Sequence, residues 1–489
     1  MLVDREGRRV VRNGRFVMRK LTGLLVPIGA IAVLASGLGV ATPSGPVTAP
    51  ATAAASVKVA APPNIVVIMS DDQRRNTFQT MPNVRKKLIQ KGLKYVGFSP
   101  TSACCPARSS LLTAQFAHTT RVYNNVNPTY GGWPAFNGSG YEEKTIAVAL
   151  ADAGYRTGLV GKYMNLWNQA PDGFVPDGWD VFRALWSDVG QGGGRYYDYQ
   201  IRGTHETETF GSKPKAYSTD VLADRAVRFI KSSPEDQPFF LYFTPFAAHE
   251  PWTPAPRHKG TWEPDKVYDN PAVNEKDMSD KPAFMQNLPR IDRDWIKRAQ
   301  DKTGESLRAV DEAVARVLKT VGDRRPNTLF IYTSDQGVMW GEHRLDQKYN
   351  PYRWATEFPL IMKWGKRFPV ADRDRLVANA DVGATILDAA DVVPTWPIEG
   401  TSVLGPFRND VVLEAIGIPG QPAYCGLRLK NWLYVHWSGE AGVELYDYVH
   451  DPLELKNLAG RAAYAEKEQA MHDRTVELCS PTPPDFSWD

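Results

Sequence analysis

Cysteine is scarce in this chain, with four among 489 residues. No C-x-x-C occurs, and no Cys/His pair stands at ligand spacing, which argues against a structural zinc site. Charge surplus is also lacking. Lysine and arginine total 58 against 55 aspartates and glutamates, a net charge of +3. That is too small to argue for nucleic acid or a membrane surface as partner. No repeat period runs through the chain, so a solenoid or propeller array is excluded. What is present is an ordinary apolar fraction with many Trp, Tyr and Phe. These suffice for the core of one large or two ordinary domains.

Residues 1–62 stand apart from the rest. Arg12, Arg15, Arg19 and Lys20 precede "LTGLLVPIGAIAVLASGLGVA", an apolar run broken by Gly and Pro. A stretch rich in Ala, Pro, Thr and Ser follows. The pattern is that of a signal peptide and flexible export segment, with small-residue cleavage options near Ala41 or at Ala53 to Ala55. Met18 is an alternative start, and a retained membrane anchor is the competing reading. The mature protein is expected to be secreted or at the cell surface, without spanning the membrane. Export permits disulfides. Cys425 and Cys479 lie in the same C-terminal region, and their pairing stays open at this point.

From residue 63 short apolar runs alternate with amphipathic ones. "NIVVIM", "RTGLVG", "PFFLYFTPF" and "TLFIYTS" read as buried strands. "MPNVRKKLIQKG", "KTIAVALADAGY", "DVLADRAVRFIKSS" and "GESLRAVDEAVARVLKTVG" read as helices. Strand–helix alternation with continuous apolar strands predicts an α/β fold, a mostly parallel sheet covered on both faces. After about residue 400 aromatic and polar residues alternate between turn signals, and a last helix follows. The expectation is an α/β domain over 63–400 and a smaller α+β subdomain over 401–489 carrying an antiparallel sheet.

Each predicted strand of the larger domain delivers capable side chains just past its carboxyl end. Asp71 and Asp72 follow the first, Lys162 the second, His249 the third, Asp335 and Gln336 the fourth. That edge of an open α/β sheet is where ligands bind. Neighbouring buried carboxylates repel unless a cation sits between them. An all-oxygen set of this kind suits calcium or magnesium.

The segment "SACCPARSS" (residues 102–110) holds the other two cysteines side by side. A disulfide, a metal site, a thiolate and a modified residue are all open readings. Adjacent cysteines rarely bridge each other. Pro106 favours the first turn of a helix. Cys104 then sits at a helix amino terminus, where anions are favoured, and Arg108 points to the same side.

C-x-P-x-R followed by L-T resembles the signature of type I sulfatases. Cys104, Pro106 and Arg108 fill its fixed places. "NIVVIMSDDQ", "GYRTGLVGKYMNLW", "SDKPAF", "TSDQGVMWGEHRL" and "ELYDYVHDPLELKNLAG" are similar to other parts of that family. The double cysteine, "GKYMN" and "SDKPAF" are most similar to its N-acetylglucosamine-6-sulfatase branch. The resemblance implies an alkaline-phosphatase-like fold and oxidation of Cys104 to formylglycine by a formylglycine-generating enzyme. It also implies one divalent cation, Ca2+ or alternatively Mg2+, on Asp71, Asp72, Cys104, Asp335 and Gln336. The hydrated aldehyde would attack sulfur through one hydroxyl and expel sulfate through the other. Arg108 would stabilise the modified residue, Lys162 and Lys348 would bind sulfate, and His249 would protonate the leaving alcohol. The implied substrate is a sulfated small molecule or glycan, with glucosamine-6-sulfate as the type. The competing readings are a phosphonate or phosphate ester hydrolase and a non-catalytic sulfated-glycan binding protein.

The sequence departs from the family pattern in places. Gln336 stands where Asn or His is usual, Ala114 replaces the Gly of L-T-G, and Glu357 stands where Arg is usual. Met164 and Asn165 occupy the stretch that often holds a His after "GK". The base that deprotonates the diol is thus unassigned, with His118 and His343 as candidates.

Overall fold

A computed structural model describes residues 61–489 apart from 128, 188–194 and 263–267. The export segment read from residues 1–62 therefore lies almost wholly outside the described residues. In chain order the strands are β1 (Asn64–Ser70), β2 (Leu93–Phe98), β3 (Arg156–Gly161), β4 (Val181–Trp186), β5 (Tyr199–Gly203), β6 (Glu208–Phe210), β7 (Phe239–Thr244) and β8 (Thr328–Ser334). Then come β9 (Met339–Trp340), β10 (Asp346–Gln347), β11 (Glu357–Lys363), β12 (Ala371–Ala378), β13 (Asp410–Ala415), β14 (Tyr424–Leu429), β15 (Trp432–Trp437) and β16 (Val443–Asp447).

Ten strands form one sheet in the order β12-β2-β11-β8-β1-β7-β3-β4-β5-β6. β1 lies near its middle, parallel to β8 on one side and to β7 on the other, and β3 continues in parallel beyond β7. Only β5 and β11 run against the rest. The four strands read from the sequence are thus neighbours, and their carboxyl ends open on one edge. Strand β1 shows why its apolar run is unbroken. Ile65, Val67 and Met69 join one core with Leu111, Leu150 and Ile386. Val66 and Ile68 join the other with Leu222, Phe229 and Val310. Burying such a side chain contributes roughly 1.5–3 kcal/mol, and here both faces of the strand do so.

Helices Cys104–Thr113, Ile146–Asp152 and Asn379–Ala390 supply the first core. Helices Ser218–Ser232 and Arg293–Val321 supply the second. The latter begins well before the Gly304 start expected from its stripe. Asp292 caps it, accepting from the Asp294 and Trp295 N–H groups at 2.6 and 3.3 Å. The stripe thins there to Ile296 and Ala299, so periodicity carries little signal. Edge strand β12 exposes Asp372, Arg373, Asp374 and Arg375, charges that guard an open edge against further pairing.

Beyond residue 400, β13 to β16 form an antiparallel sheet in chain order. Helix Ala465–Leu478 packs on it. Cys425 in β14 and Cys479 just after that helix are disulfide-bonded, with Cα atoms 6.1 Å apart, which closes the pairing question. No helix among the described residues is long and apolar enough to cross a membrane.

Candidate active site

The chain leaves β1 abruptly. Asp72 has φ 54°, a left-handed conformation that Asp tolerates better than most residues. Its N–H donates to Asp335 Oδ1 at 3.1 Å, from the end of β8. At the end of β3, Gly161 has φ 130°, and a Cβ there would lie 2.1 Å from the Thr244 carbonyl oxygen of β7. Glycine is therefore required for the close approach that brings Lys162 over the sheet edge. The Lys162 N–H donates to that same carbonyl at 2.8 Å.

Cys104 is the first residue of its helix, and Ala103 before it provides no side-chain cap. A distant side chain does that work, since Asn125 Oδ1 accepts from the Cys105 N–H at 2.8 Å. Cys104 Sγ lies 3.6 Å from Asp71 Oδ1 and 3.9 Å from Asp72 Oδ1. One turn along the helix, Arg108 is fully buried and ties three strand ends together. Its Nε donates to Asp335 Oδ2 at 3.0 Å, its Nη2 to Asp71 Oδ2 at 3.3 Å, and its Nη1 to the Lys162 carbonyl at 2.9 Å. Lys162 Nζ is 2.6 Å from Asp71 Oδ2.

Lys348 arrives from the other side. It follows the short β9–β10 pair, between Gln347 at φ 63° and Tyr349 at φ 76°. The Tyr349 N–H donates to the Ser102 carbonyl at 2.9 Å, fastening this loop to the one before Cys104. Lys348 Nζ then reaches both Asp72 oxygens at 2.8 and 2.7 Å and Cys104 Sγ at 3.1 Å. His249 stacks on Phe246, with ring centres 4.9 Å apart. Its Nδ1 is 2.7 Å from the Glu250 carbonyl and its Nε2 3.2 Å from Lys348 Nζ. A carbonyl can only accept, so Nδ1 carries the proton and Nε2 receives from the lysine.

Three carboxylates and three cations thus converge on one sulfur, nearly all out of water. Burial alone would raise the Asp71 carboxyl, but Lys162 and Arg108 outweigh it and hold it below the ordinary value. Lys348 and His249 do the same for Asp72. Burial pushes the Cys104 thiol up to about 12, with Lys162 and Lys348 opposing, so the unmodified thiol is neutral and a poor nucleophile. Burial, with Lys348 beside it, lowers His249. Ligand atoms of Asp71, Asp72, Cys104 and His249 all lie within 4.8 Å of one another. Gln336 Nε2 touches Asp72 Oδ1 and Cys104 Sγ, while its Oε1 is buried with no hydrogen-bond partner. A buried amide oxygen without a partner beside three carboxylates is the donor chemistry of a hard cation.

All five residues expected to do chemistry and all five expected metal ligands meet at this edge. The two candidates for the unassigned base do not. His118 bonds Glu414 at 3.0 Å and Glu399 at 2.8 Å, and against burial they raise it to about 10. His343 bonds Glu275 at 2.6 Å, and against burial Glu275 and Glu454 raise it to about 9. Neither contacts Cys104 among the described residues. Cys105 is a free buried thiol whose Sγ accepts from the Asn165 N–H at 3.1 Å. Ala114 ends the helix at φ 55°, which explains why glycine is usual there. Glu357 is fully buried among Arg75, Arg353 and Arg428, which explains an acid at that position. Asn125, Phe246 and Thr244, whose Oγ1 donates to the Lys162 carbonyl at 2.7 Å, were not singled out from the sequence. Asn125 and Thr244 meet partners 20 and 82 residues away, and Phe246, although only three residues before His249, carries no local pattern that marks it.

Comparison with known proteins agrees with this geometry. The family model described as "Sulfatase" matches residues 63–392. An extracellular sulfatase homologue of Caenorhabditis elegans is 30% identical over 70% of this chain, which spans 48% of that relative's length. An N-acetylglucosamine-6-O-sulfatase of Bacteroides thetaiotaomicron is 26% identical over 84% of this chain and 85% of its own. Among solved structures, a protein in complex with its substrate D-glucosamine-2-N,6-O-disulfate superposes with a TM-score of 0.72. It covers 86% of this chain and 97% of its own at 21% identity, a likeness of fold.

Proposed function

The chain belongs to the sulfatase family, and from that premise we propose that it hydrolyses sulfate monoesters of sugars at Cys104, with a glucosamine-6-sulfate-like ester as the type of substrate. The observation that carries this reading is the convergence of Asp71, Asp72, Gln336 and Lys348 on Cys104 Sγ, backed by Arg108 and Lys162. The thiol itself is too weakly acidic for the task. Formylglycine made from Cys104 supplies, once hydrated, one hydroxyl to attack sulfur and a second to release sulfate. Asp71, Asp72, residue 104, Asp335 and Gln336 would hold a Ca2+ ion, or Mg2+ in its place, which would supply Lewis-acid stabilisation of charge on sulfuryl oxygens.

The chain's own residues do the rest. Lys162, paired with Asp71, and Lys348, paired with Asp72, present ammonium groups to the sulfuryl oxygens. Arg108 pins Asp71 and Asp335 and so fixes the ligand set without touching solvent. His249 serves as the proton donor to the leaving alcohol, with the Lys348 ammonium, held by Asp72, beside its Nε2 and the Glu250 carbonyl fixing the ring's orientation. The partly exposed His249 edge, at 24%, is the side from which a sugar approaches. Pro106 and Arg108 also belong to the tag read on the unfolded chain by the formylglycine-generating enzyme. Residues 1–62 serve as the export segment, in keeping with a secreted enzyme. Residues 63–400 hold all the site residues, and 401–489 form the accompanying subdomain.

The test pairs mass spectrometry of the peptide containing Cys104, from the native host, with turnover of sulfated sugars by the same sample. Formylglycine together with sulfate release is expected, and Cys104→Ala abolishes turnover while the fold remains. A clear preference for phosphonate or phosphate esters in parallel assays overturns the sulfatase assignment, and an unmodified thiol in active protein overturns the mechanism.

A further inference from the structure

A second cluster of cations lies at the other end of β3. Arg156 opens that strand and Lys162 follows its last residue. With roughly 3.3 Å per step the two stand about 17–20 Å apart along the sheet. Here a surface cavity of about 410 Å³ is lined by Arg156, Arg183, Arg225 and Arg228 and by Glu206 and Glu208. Four guanidiniums face two carboxylates, which leaves two positive charges in excess. The cavity is large enough for a charged group together with part of the molecule that bears it.

The partners of each arginine show where the excess sits. Arg183, 4% exposed, bonds the Glu208 carboxylate and donates to the Glu206 carbonyl at 3.3 Å. Arg225 shares Glu208, its Nε donating at 3.1 Å. Arg156 donates to the Phe229 carbonyl at 3.2 Å and to the hydroxyls of Ser232 and Ser233 at 3.1 and 2.8 Å. It meets the end of helix Ser218–Ser232, where a cation is favoured, and has no carboxylate bonded to it. Arg228 is exposed and has no ion-pair or hydrogen-bond partner among the described residues. Folding thus accounts for Arg156, Arg183 and Arg225. It leaves Arg228 unexplained, and among the described residues it gives Arg156 no bonded carboxylate, only the more distant charge of Asp180. Burial, with Arg225 and Arg228 nearby, lowers Arg183 despite Glu208, as crowding of uncompensated cations requires.

We propose that this arginine cavity is a second, non-catalytic oxyanion site that takes a sulfate group, either borne by a glycan or free in solution. A forked guanidinium matches the paired oxygens of such a group. Arg228 supplies the free fork and Arg156 the fixed charge behind it. The site is separate from Cys104 in space and does not depend on turnover there.

The experiment is calorimetric titration of the Cys104→Ala protein with sodium sulfate and, separately, with a sulfated oligosaccharide. Arg228→Glu is compared with Lys259→Glu, an exposed charge reversal elsewhere on the surface. The expected result is a binding component weakened about tenfold or more by Arg228→Glu alone. Loss with the oligosaccharide only identifies the glycan-borne group as ligand, and loss with sodium sulfate as well identifies the free ion. Turnover of a small sulfate monoester by the Arg228→Glu enzyme with Cys104 intact stays at the parent value. Equal effects of the two reversals, or no component that depends on Arg228, overturn the proposal. Because the binding readout needs no catalysis, failure here is distinct from failure of the sulfatase assignment.

Discussion

Removing Lys348 is expected to tighten divalent cation binding while it abolishes turnover. Lys348 Nζ holds both oxygens of Asp72 at 2.8 and 2.7 Å, and the side chain is 5% exposed. A cation held by Asp72 and this ammonium therefore compete for one carboxylate. Two unit charges about 4 Å apart repel by about 4 kcal/mol at an effective dielectric constant near 20, and a divalent ion doubles this. Relaxation and water entering the gap remove much of that repulsion. If only a quarter persists, about 2 kcal/mol, Lys348→Met still tightens binding more than about tenfold. The assay is calorimetric titration of metal-free protein with Ca2+, for parent and Lys348→Met, with sulfate ester turnover measured on the same samples. Near-ultraviolet circular dichroism checks that the loop around Tyr349 keeps its packing. Unchanged or weaker Ca2+ affinity in a folded Lys348→Met protein would refute the idea that lysine and cation contest Asp72.

Three further outcomes follow from other parts of the structure. His249→Gln keeps an amide near Lys348 but ends proton exchange, so turnover of sugar sulfates should fall about 10²–10⁴-fold. Aryl sulfates, whose leaving group needs no proton, should fall far less, and equal losses on both would remove His249 from the proton path. Glu357→Gln strips the shared anion from Arg75, Arg353 and Arg428 and should destabilise the fold by about 3–5 kcal/mol, read by urea denaturation. Despite burial, Arg353, Arg75 and Arg428 hold the Glu357 carboxyl at about 2, below the ordinary 4.5. Its stabilisation is thus fully present above pH 4.5 and fades as pH falls toward 2, so parent and variant should converge in strong acid. Replacing Cys425 and Cys479 together with serine opens a crosslink spanning 54 residues, which by chain entropy costs about 4 kcal/mol. A melting temperature indifferent to that double change would mean the crosslink stabilises little.

What was legible in the sequence is what is local. Each central strand announces itself by an unbroken apolar run, and the polar residues just after it mark the active edge. Asp71, Asp72, Lys162, Asp335 and Gln336 were found in this way because their placement depends only on where a strand ends. Cys104 and Arg108 share one helix, so spacing alone puts them on one side. Lys348 was reached through resemblance alone, whereas His249 was seen past the end of its strand and only its role came from resemblance. Their loops wander several residues past a strand, and nothing nearby tells where the side chain turns. Strands β2, β11 and β12 escaped notice because their apolar runs are interrupted or their exposed edge is charged. Asn125 escaped too, since it caps a helix from 20 residues away.

Charge pairing shows the same limit more sharply. Read alone, Glu357 is an acid in place of an arginine and has no interpretation. In the fold it is the anion shared by arginines from positions 75, 353 and 428, two of them far off in sequence. His118 and His343 invert the lesson. Each is a histidine in a family that needs a base, yet each is bound between two carboxylates that keep it protonated. A residue type suggests a role, but the neighbours decide whether its proton can move. By that criterion Lys348 is fixed as well, since both Asp72 oxygens bond its ammonium and, against burial, Asp72 raises it well above the ordinary lysine value. His249 differs: burial and Lys348 lower it despite Asp72, which is what the proposed donor to a departing alcohol requires.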